Sequence, residues 1–152
     1  MTFEPRMDSI KILPLVKSYN LCSCLLTTNF QSNLFMTSQY EYLIKRAYSA
    51  FNARDIDTAL STMHADVQWP KAFEGGYVSG HNEIRKYWTR QWTEIKPNVE
   101  PIGFNERQDG TLEVTVHQVV RDLQDNTIFD GTVKHVYTLQ EGLLRRMDVE
   151  LE

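Results

Sequence analysis

LEVTVHQVVRDL (Leu112–Leu123) and TIFDGTVKHVYTL (Thr127–Leu139) are joined by only Gln124-Asp125-Asn126. In the first segment Leu112, Val114, Val116 and Val120 fall on one face, with Gln118 as the polar interruption. In the second, Phe129, Gly131, Val133, His135, Tyr137 and Leu139 form a mostly apolar face, opposite the mostly polar Ile128, Asp130, Thr132, Lys134, Val136 and Thr138. Apolar residues at every second position describe strands that bury one side. A turn this short returns the chain antiparallel, because a parallel return needs a crossover of a dozen residues or more.

The same reading extends outward in both directions. Leu143–Leu151 follows the turn Glu141-Gly142, and Glu100–Arg107 precedes the turn Asp109-Gly110, so both read as further strands of one meander. Upstream the period changes. Tyr40, Leu43, Ile44, Ala47 and Phe51 recur at spacings of three and four and predict an amphipathic helix over Tyr40–Asn52. Ser38, with Glu41 three residues on, fits a capping box. A short second helix is expected after Asp55, with Ile56, Ala59, Leu60 and Met63 as its buried stripe and its end near His64.

Val67-Gln68-Trp69 predicts a short strand stopped by Pro70, and Lys71–Gly76 a loop at a pocket mouth. A third helix follows Ser79-Gly80, with Ile84, Tyr87, Trp88, Gln91 and Trp92 on one face and Pro97 as its terminator. Helices first and a meander second predict an α+β chain rather than an alternating α/β one.

The chain has 152 residues and a formal net charge of −4. That length suits one core. No basic cluster interleaved with aromatics is present, which argues against a nucleic-acid partner. No apolar run approaches the roughly 20 residues of a membrane-spanning helix, so the expectation is a soluble, cytoplasmic protein that does not cross a bilayer.

Cys22 and Cys24 are the two cysteines, which rules out a disulfide framework and cannot complete a structural zinc site. His64, His81, His117 and His135 are scattered without ligand spacing, and Gly75-Gly76 lacks the pattern of a phosphate loop, so neither a metal nor a cofactor is expected.

Residues 1–35 look foreign to this pattern, having two acids, three bases, no glycine and no sustained period. Glu4 and Asp8 precede their apolar stretch, and Lys17, Tyr19 and Asn20 interrupt it, which does not suit a secretory signal. Leu21-Cys22-Ser23-Cys24 faintly matches a lipoprotein cleavage box but lacks the apolar run that should precede it. The expectation is a disordered or misassigned extension ahead of a natural start at Met36, with the domain spanning residues 36–152.

Three segments carry a family resemblance: Tyr48-Ser49-Ala50-Phe51-Asn52-Ala53-Arg54-Asp55-Ile56-Asp57, His64-Ala65-Asp66-Val67, and Gly80-His81-Asn82-Glu83-Ile84-Arg85-Lys86-Tyr87-Trp88. With the closing His135–Leu144 hairpin, in this order and spacing, the chain resembles SnoaL-like proteins of the nuclear transport factor 2-like superfamily. The resemblance implies a cone-shaped fold, in which three helices pack on a strongly curved antiparallel sheet around an internal apolar pocket. It also implies a homodimer formed through the outer sheet face, where Thr115, His117 and Val119 lie. Because such scaffolds host isomerases, cyclases, dehydratases, epoxide hydrolases and non-catalytic modules, the activity has to be argued from the site.

Ketosteroid isomerases of the superfamily use an Asp base and an oxyanion hole of Tyr and protonated Asp. Alignment of the first-helix pattern places Ala47 at the Tyr, Trp69 or a neighbour at the base and Lys134 near the second Asp, so all three groups are missing. The Asp-Arg-Asp arrangement of related epoxide hydrolases is approached only by Arg146-Met147-Asp148, which strand parity puts on a solvated face together with Leu144 and Glu150.

His135 is the catalytic candidate, since parity turns it inward and an imidazole exchanges protons near neutral pH. A core histidine satisfied by hydrogen bonds is the competing reading. Trp69, Trp88, Trp92, Gln118 and Tyr137 are the candidate pocket residues. They suit a small hydrophobic carbonyl compound, handled by cofactor-free acid–base chemistry or bound without catalysis. Deleting residues 1–35 should leave the circular dichroism spectrum and melting temperature nearly unchanged, and a large loss of helix or strand signal would refute the proposed boundary.

Overall fold

In the computed structural model, residues 38–151 are described. The expectations for residues 1–35, including Cys22 and Cys24, lie outside them. Helix α1, residues 38–52, buries Ile44, Ala47, Tyr48 and Ala50. Ser38 is already helical and so lies within the helix rather than ahead of it as a cap.

The C-terminus of α1 closes with two crossed hydrogen bonds: Asp55 N–H donates to Ala50 O at 2.9 Å and Arg54 N–H to Phe51 O at 3.0 Å. Arg54 takes the left-handed conformation this closure needs, with φ of 63°. Asp55 then caps helix α2 (Ile56–Ser61) by accepting from Thr58 N–H at 3.1 Å.

Strand β1 (Met63–Pro70) starts almost at once, so α2 ends at Ser61 rather than near His64, and the strand is more than twice as long as expected. The extension comes from pairing, since β1 runs parallel to the last strand, with Met63 opposite Leu144 and Gln68 opposite Arg146. A hairpin through Lys71–Gly76 leads to β2 (Tyr77–Ser79), a strand with too few residues to leave a sequence period. Helix α3 (His81–Gln91) buries Ile84, Tyr87 and Trp88 and stops six residues before the helix terminator expected at Pro97.

Pro97 instead lies in β3 (Ile95–Glu106). Strands β4 (Leu112–Asp122), β5 (Thr127–Gln140) and β6 (Leu143–Leu151) complete a six-stranded sheet in the order β2-β1-β6-β5-β4-β3. Because β3 is an edge strand, prolines at 97 and 101 cost it no ladder bond on its free side. All sheet neighbours are antiparallel except β1 and β6, so the sheet is mixed rather than wholly antiparallel. Sequential strands must pair antiparallel across tight turns, whereas β1 and β6 are far apart in the chain and are free to run together. The three helices pack on this curved sheet in an α+β arrangement.

An irregularity in β6 corrects the strand parity expected from the sequence. Leu139 pairs with Leu144 and Thr138 with Arg146, leaving Arg145 as an extra residue. Leu144 and Met147, three apart, therefore both enter the core, at 1% and 4% exposure. Arg146 and Asp148 stay outside, paired through Nε to Oδ2 at 2.9 Å.

Asn52 clamps α1 to the sheet by bonding both main-chain groups of Val99. Its Nδ2 donates to Val99 O at 2.7 Å, and Val99 N–H donates to its Oδ1 at 3.0 Å. Asn52→Ala leaves both of those groups without a partner and should lower unfolding stability by about 2 kcal/mol in urea titration. A loss below about 0.5 kcal/mol would show that water replaces the clamp.

Candidate active site

Between the helices and the inner sheet face lies a cavity of about 510 Å³. Its wall is mainly aromatic and aliphatic: Phe51 from α1, Trp69 from β1, Tyr87 and Trp88 from α3, Phe129 and Val133 from β5, and Met147 from β6. Trp69 meets Trp88 edge-on, with ring centroids 5.3 Å apart, and Phe51 meets Trp88 at 5.1 Å. The hairpin residues Lys71, Ala72, Phe73 and Gly75 form the rim, where Phe73 is 76% exposed. Few polar side chains line the interior, and among them are Gln118, Gln91 and His135.

Of the residues singled out from the sequence, His135, Trp69, Trp88 and Gln118 line this cavity, whereas Trp92 and Tyr137 do not. Trp92 stacks on Trp88 at 5.9 Å, with the Arg54 guanidinium 4.8 Å from its ring centroid. It therefore supports the wall rather than forming it. Its Nε1 is the enclosed side-chain polar atom left without a partner among the described residues. Tyr137 is fully buried, and its hydroxyl is spent on another side chain.

That other side chain is Tyr48, which the sequence reading passed over. Its hydroxyl lies 2.7 Å from His135 Nδ1 and accepts from the Tyr137 hydroxyl at 2.9 Å. Ile44, Ala47, Tyr48 and Phe51 form an i, i+3, i+4, i+7 set, so the helical period alone could have placed Tyr48 inward. The alignment that put Ala47 at the isomerase tyrosine position lay one residue from it. Ala47 and Trp69 do line the cavity, while Lys134 lies 3.6 Å from Glu113 on the outer side.

The donation sense follows from the chain of bonds. With Tyr137 donating to Tyr48, the Tyr48 proton is directed to Nδ1, and the neutral ring carries its own proton on Nε2. Nε2 has no partner among the described residues and is not one of the enclosed unpartnered atoms, so it opens onto the cavity that the ring lines.

Burial drives the His135 pKa down to about 4, and the ring is neutral at physiological pH. Burial also holds both tyrosines well above the ordinary phenol range, and in Tyr48 the neighbouring Tyr137 adds to the effect. The site is thus an uncharged hydrogen-bond relay ending in an N–H donor. Among the described residues no group of three or more His, Cys, Asp or Glu side chains could hold a metal ion. Outside the cavity, His117 pairs with Asp130 at 2.7 Å on the opposite sheet face.

Unfolding returns the His135 ring to a pKa near 6.5, so the unfolded chain takes up a proton before the folded one does. Stability from this site is complete above about pH 6.5 and falls by roughly 3 kcal/mol as the pH drops toward 4. Chemical denaturation across that range should show the loss in the wild type and not in His135→Gln. Parallel curves for the two proteins would contradict the buried neutral ring.

The family model for the SnoaL-like domain matches residues 44–147. No curated protein matches the sequence. Among solved structures, the fold is similar to that of TerC co-crystallised with polyporic acid, with a TM-score of 0.65, 27% identity, and coverage of 75% of this chain and 92% of that one. It is similar to an NTF2-like protein of unknown function from Burkholderia pseudomallei K96243, with a TM-score of 0.65, 20% identity and coverage of 75% and 91%.

A suggested polyketide cyclase from Xanthomonas campestris pv. campestris has a TM-score of 0.62, 18% identity and coverage of 77% and 93%. Among the described residues, no helix is long and apolar enough to cross a membrane. With a family match over well over half of the chain and the same fold in these structures, the protein belongs to the SnoaL-like domain family.

Proposed function

We propose that the protein binds a small hydrophobic carbonyl compound in the cavity and performs cofactor-free acid–base chemistry on it, of isomerase, cyclase or dehydratase type. The observation that carries this reading is the Tyr137–Tyr48–His135 relay, which holds Nδ1 at 2.7 Å and leaves Nε2 facing the cavity. A neutral Nε2–H donates to a carbonyl oxygen and stabilises the negative charge that grows there as a neighbouring bond rearranges. Passing that proton on would draw the Tyr48 proton to Nδ1 in the same step, so the ring never needs to become an imidazolate; the negative charge moves to the Tyr48 oxygen, to which Tyr137 donates, until the substrate returns a proton through the same relay. Aromatic walls would hold a flat apolar body, and Gln118 would orient a second polar group. TerC, with its polyporic acid, and the suggested polyketide cyclase support a small organic ligand for this fold.

A second reading, ligand binding without catalysis, is favoured by one feature: among the described residues, no Asp or Glu lines the cavity. For either reading we infer a homodimer through the outer face bearing Thr115, His117 and Val119. Ile128, 56% exposed on the neighbouring strand, adds apolar surface there.

A thermal-shift screen with hydrophobic carbonyl compounds identifies binders, and the binders are then assayed for turnover. His135→Gln keeps hydrogen bonding but cannot exchange a proton near neutral pH, so kcat should fall about 100-fold or more while the ligand-induced thermal shift persists. Undiminished turnover in that variant would defeat the catalytic reading, and saturable binding without wild-type turnover would establish the second.

A further inference from the structure

Resting on the pocket reading above, we propose that the natural ligand is an anion: a flat aromatic carbonyl compound whose carboxylate or comparable acidic group is held at the cavity rim by Lys71. The ligand would then be polar at both ends, with a carbonyl oxygen at His135 and a negative group at the mouth.

Among the described residues, Lys71 is the one Lys or Arg lining the cavity, and no acid among those lining it offsets it. Its side chain is only 31% exposed. The hairpin fixes its base, since Lys71 N–H donates to Gly76 O at 2.9 Å and Gly75 N–H donates to Lys71 O at 3.2 Å. The Lys71 stem also passes close over Gly76, where an added Cβ would meet Cε at 3.8 Å.

The ammonium itself is poorly served. Glu74 Oε2 is 3.9 Å away, beyond hydrogen-bond length, while Oε1 of the same carboxylate is taken by Arg90. Two cations therefore share one carboxylate at the rim, and Lys71 keeps its three donors for an acceptor arriving from outside.

Electrostatics and apolarity work together here. The low-dielectric aromatic wall strengthens the attraction of an ammonium for an anion at its edge, and a cleft lined by one sign of charge raises the local concentration of the opposite one. A neutral ligand would instead press apolar surface against an ammonium and remove some of its water. The absence of a lining carboxylate, which weakens the case for proton abstraction, is what an anionic ligand requires. A carboxylate on the wall would repel it.

The test compares an acetylnaphthoate with its uncharged methyl ester, which share the aromatic body and the ketone and differ in charge. Both are titrated against the full chain at low salt by quenching of tryptophan fluorescence, since Trp69 and Trp88 line the cavity. The acid should bind about tenfold tighter or more. Lys71→Met, with folding checked by its melting temperature, should bind acid and ester about equally. Raising the ionic strength should shrink the wild-type preference. An acid no tighter than its ester, or an advantage that survives in Lys71→Met, overturns the anionic ligand and leaves the carbonyl pocket standing. Failure of both compounds to bind overturns the inference together with the reading on which it rests.

Discussion

The 2.7 Å contact between the Tyr48 hydroxyl and His135 Nδ1 joins helix α1 to strand β5 across 87 residues of sequence, through the middle of an apolar core. A buried imidazole without a partner costs about 1–3 kcal/mol, and a buried phenol hydroxyl carries a comparable penalty. Each removes the other's penalty, and Tyr137 completes the second lone pair on Tyr48. The arrangement is strict in its demands, since a turn of α1 by one residue would present Ala47 or Ser49 to the ring instead. The end of α1 is accordingly fixed several times over. The crossed bonds around Arg54 stop the helix, Asn52 clamps Val99, and the Arg54 guanidinium donates to Pro97 O at 2.9 Å while lying over Trp92.

A core of this size normally closes on itself, so the open volume has to be held open. Strand irregularities contribute by bending the sheet: register shifts between Pro101 and Gly103, between Val120 and Arg121, and at Arg145. The rings that line the cavity hold one another in edge-on contacts, Trp69 on Trp88 and Phe51 on Trp88, so they cannot rotate freely into the void. The result is a space of a size usual for small-ligand sites, with few polar groups on its wall.

Charge is organised on the other side of the sheet. Arg146 reaches Asp148 and Gln68, Tyr77 donates to Asp148, and the guanidinium lies 4.3 Å from the Tyr77 ring centroid. Solvent-exposed pairs of this kind contribute little to stability, so their visible effect is to tie the short edge strand β2 to β6 across β1. The contrast with the interior relay is one of dielectric. The same kinds of group that are solvated and weakly coupled outside become neutral and tightly oriented within.

Strand parity over Leu112–Leu139 was enough to turn His135 and Gln118 toward the core, and the helical period brought in Trp88, because both depend only on which residues share a face. Those rules are local, and they failed where geometry was set from afar. The length of β1 came from its parallel pairing with β6, and β2 from pairing with β1. The inward turn of Leu144 came from one extra residue at Arg145, which a strict two-residue period cannot anticipate. Tyr48 was legible in the helical spacing, but its hydroxyl meeting His135 was not. Trp92 and Tyr137 had the right faces and still fell behind the wall. By itself the sequence determined an α+β order, the buried faces and a histidine pointing inward. Only the tertiary structure decided which inward residues touch open space and which touch each other, because that depends on contacts between segments far apart in the chain.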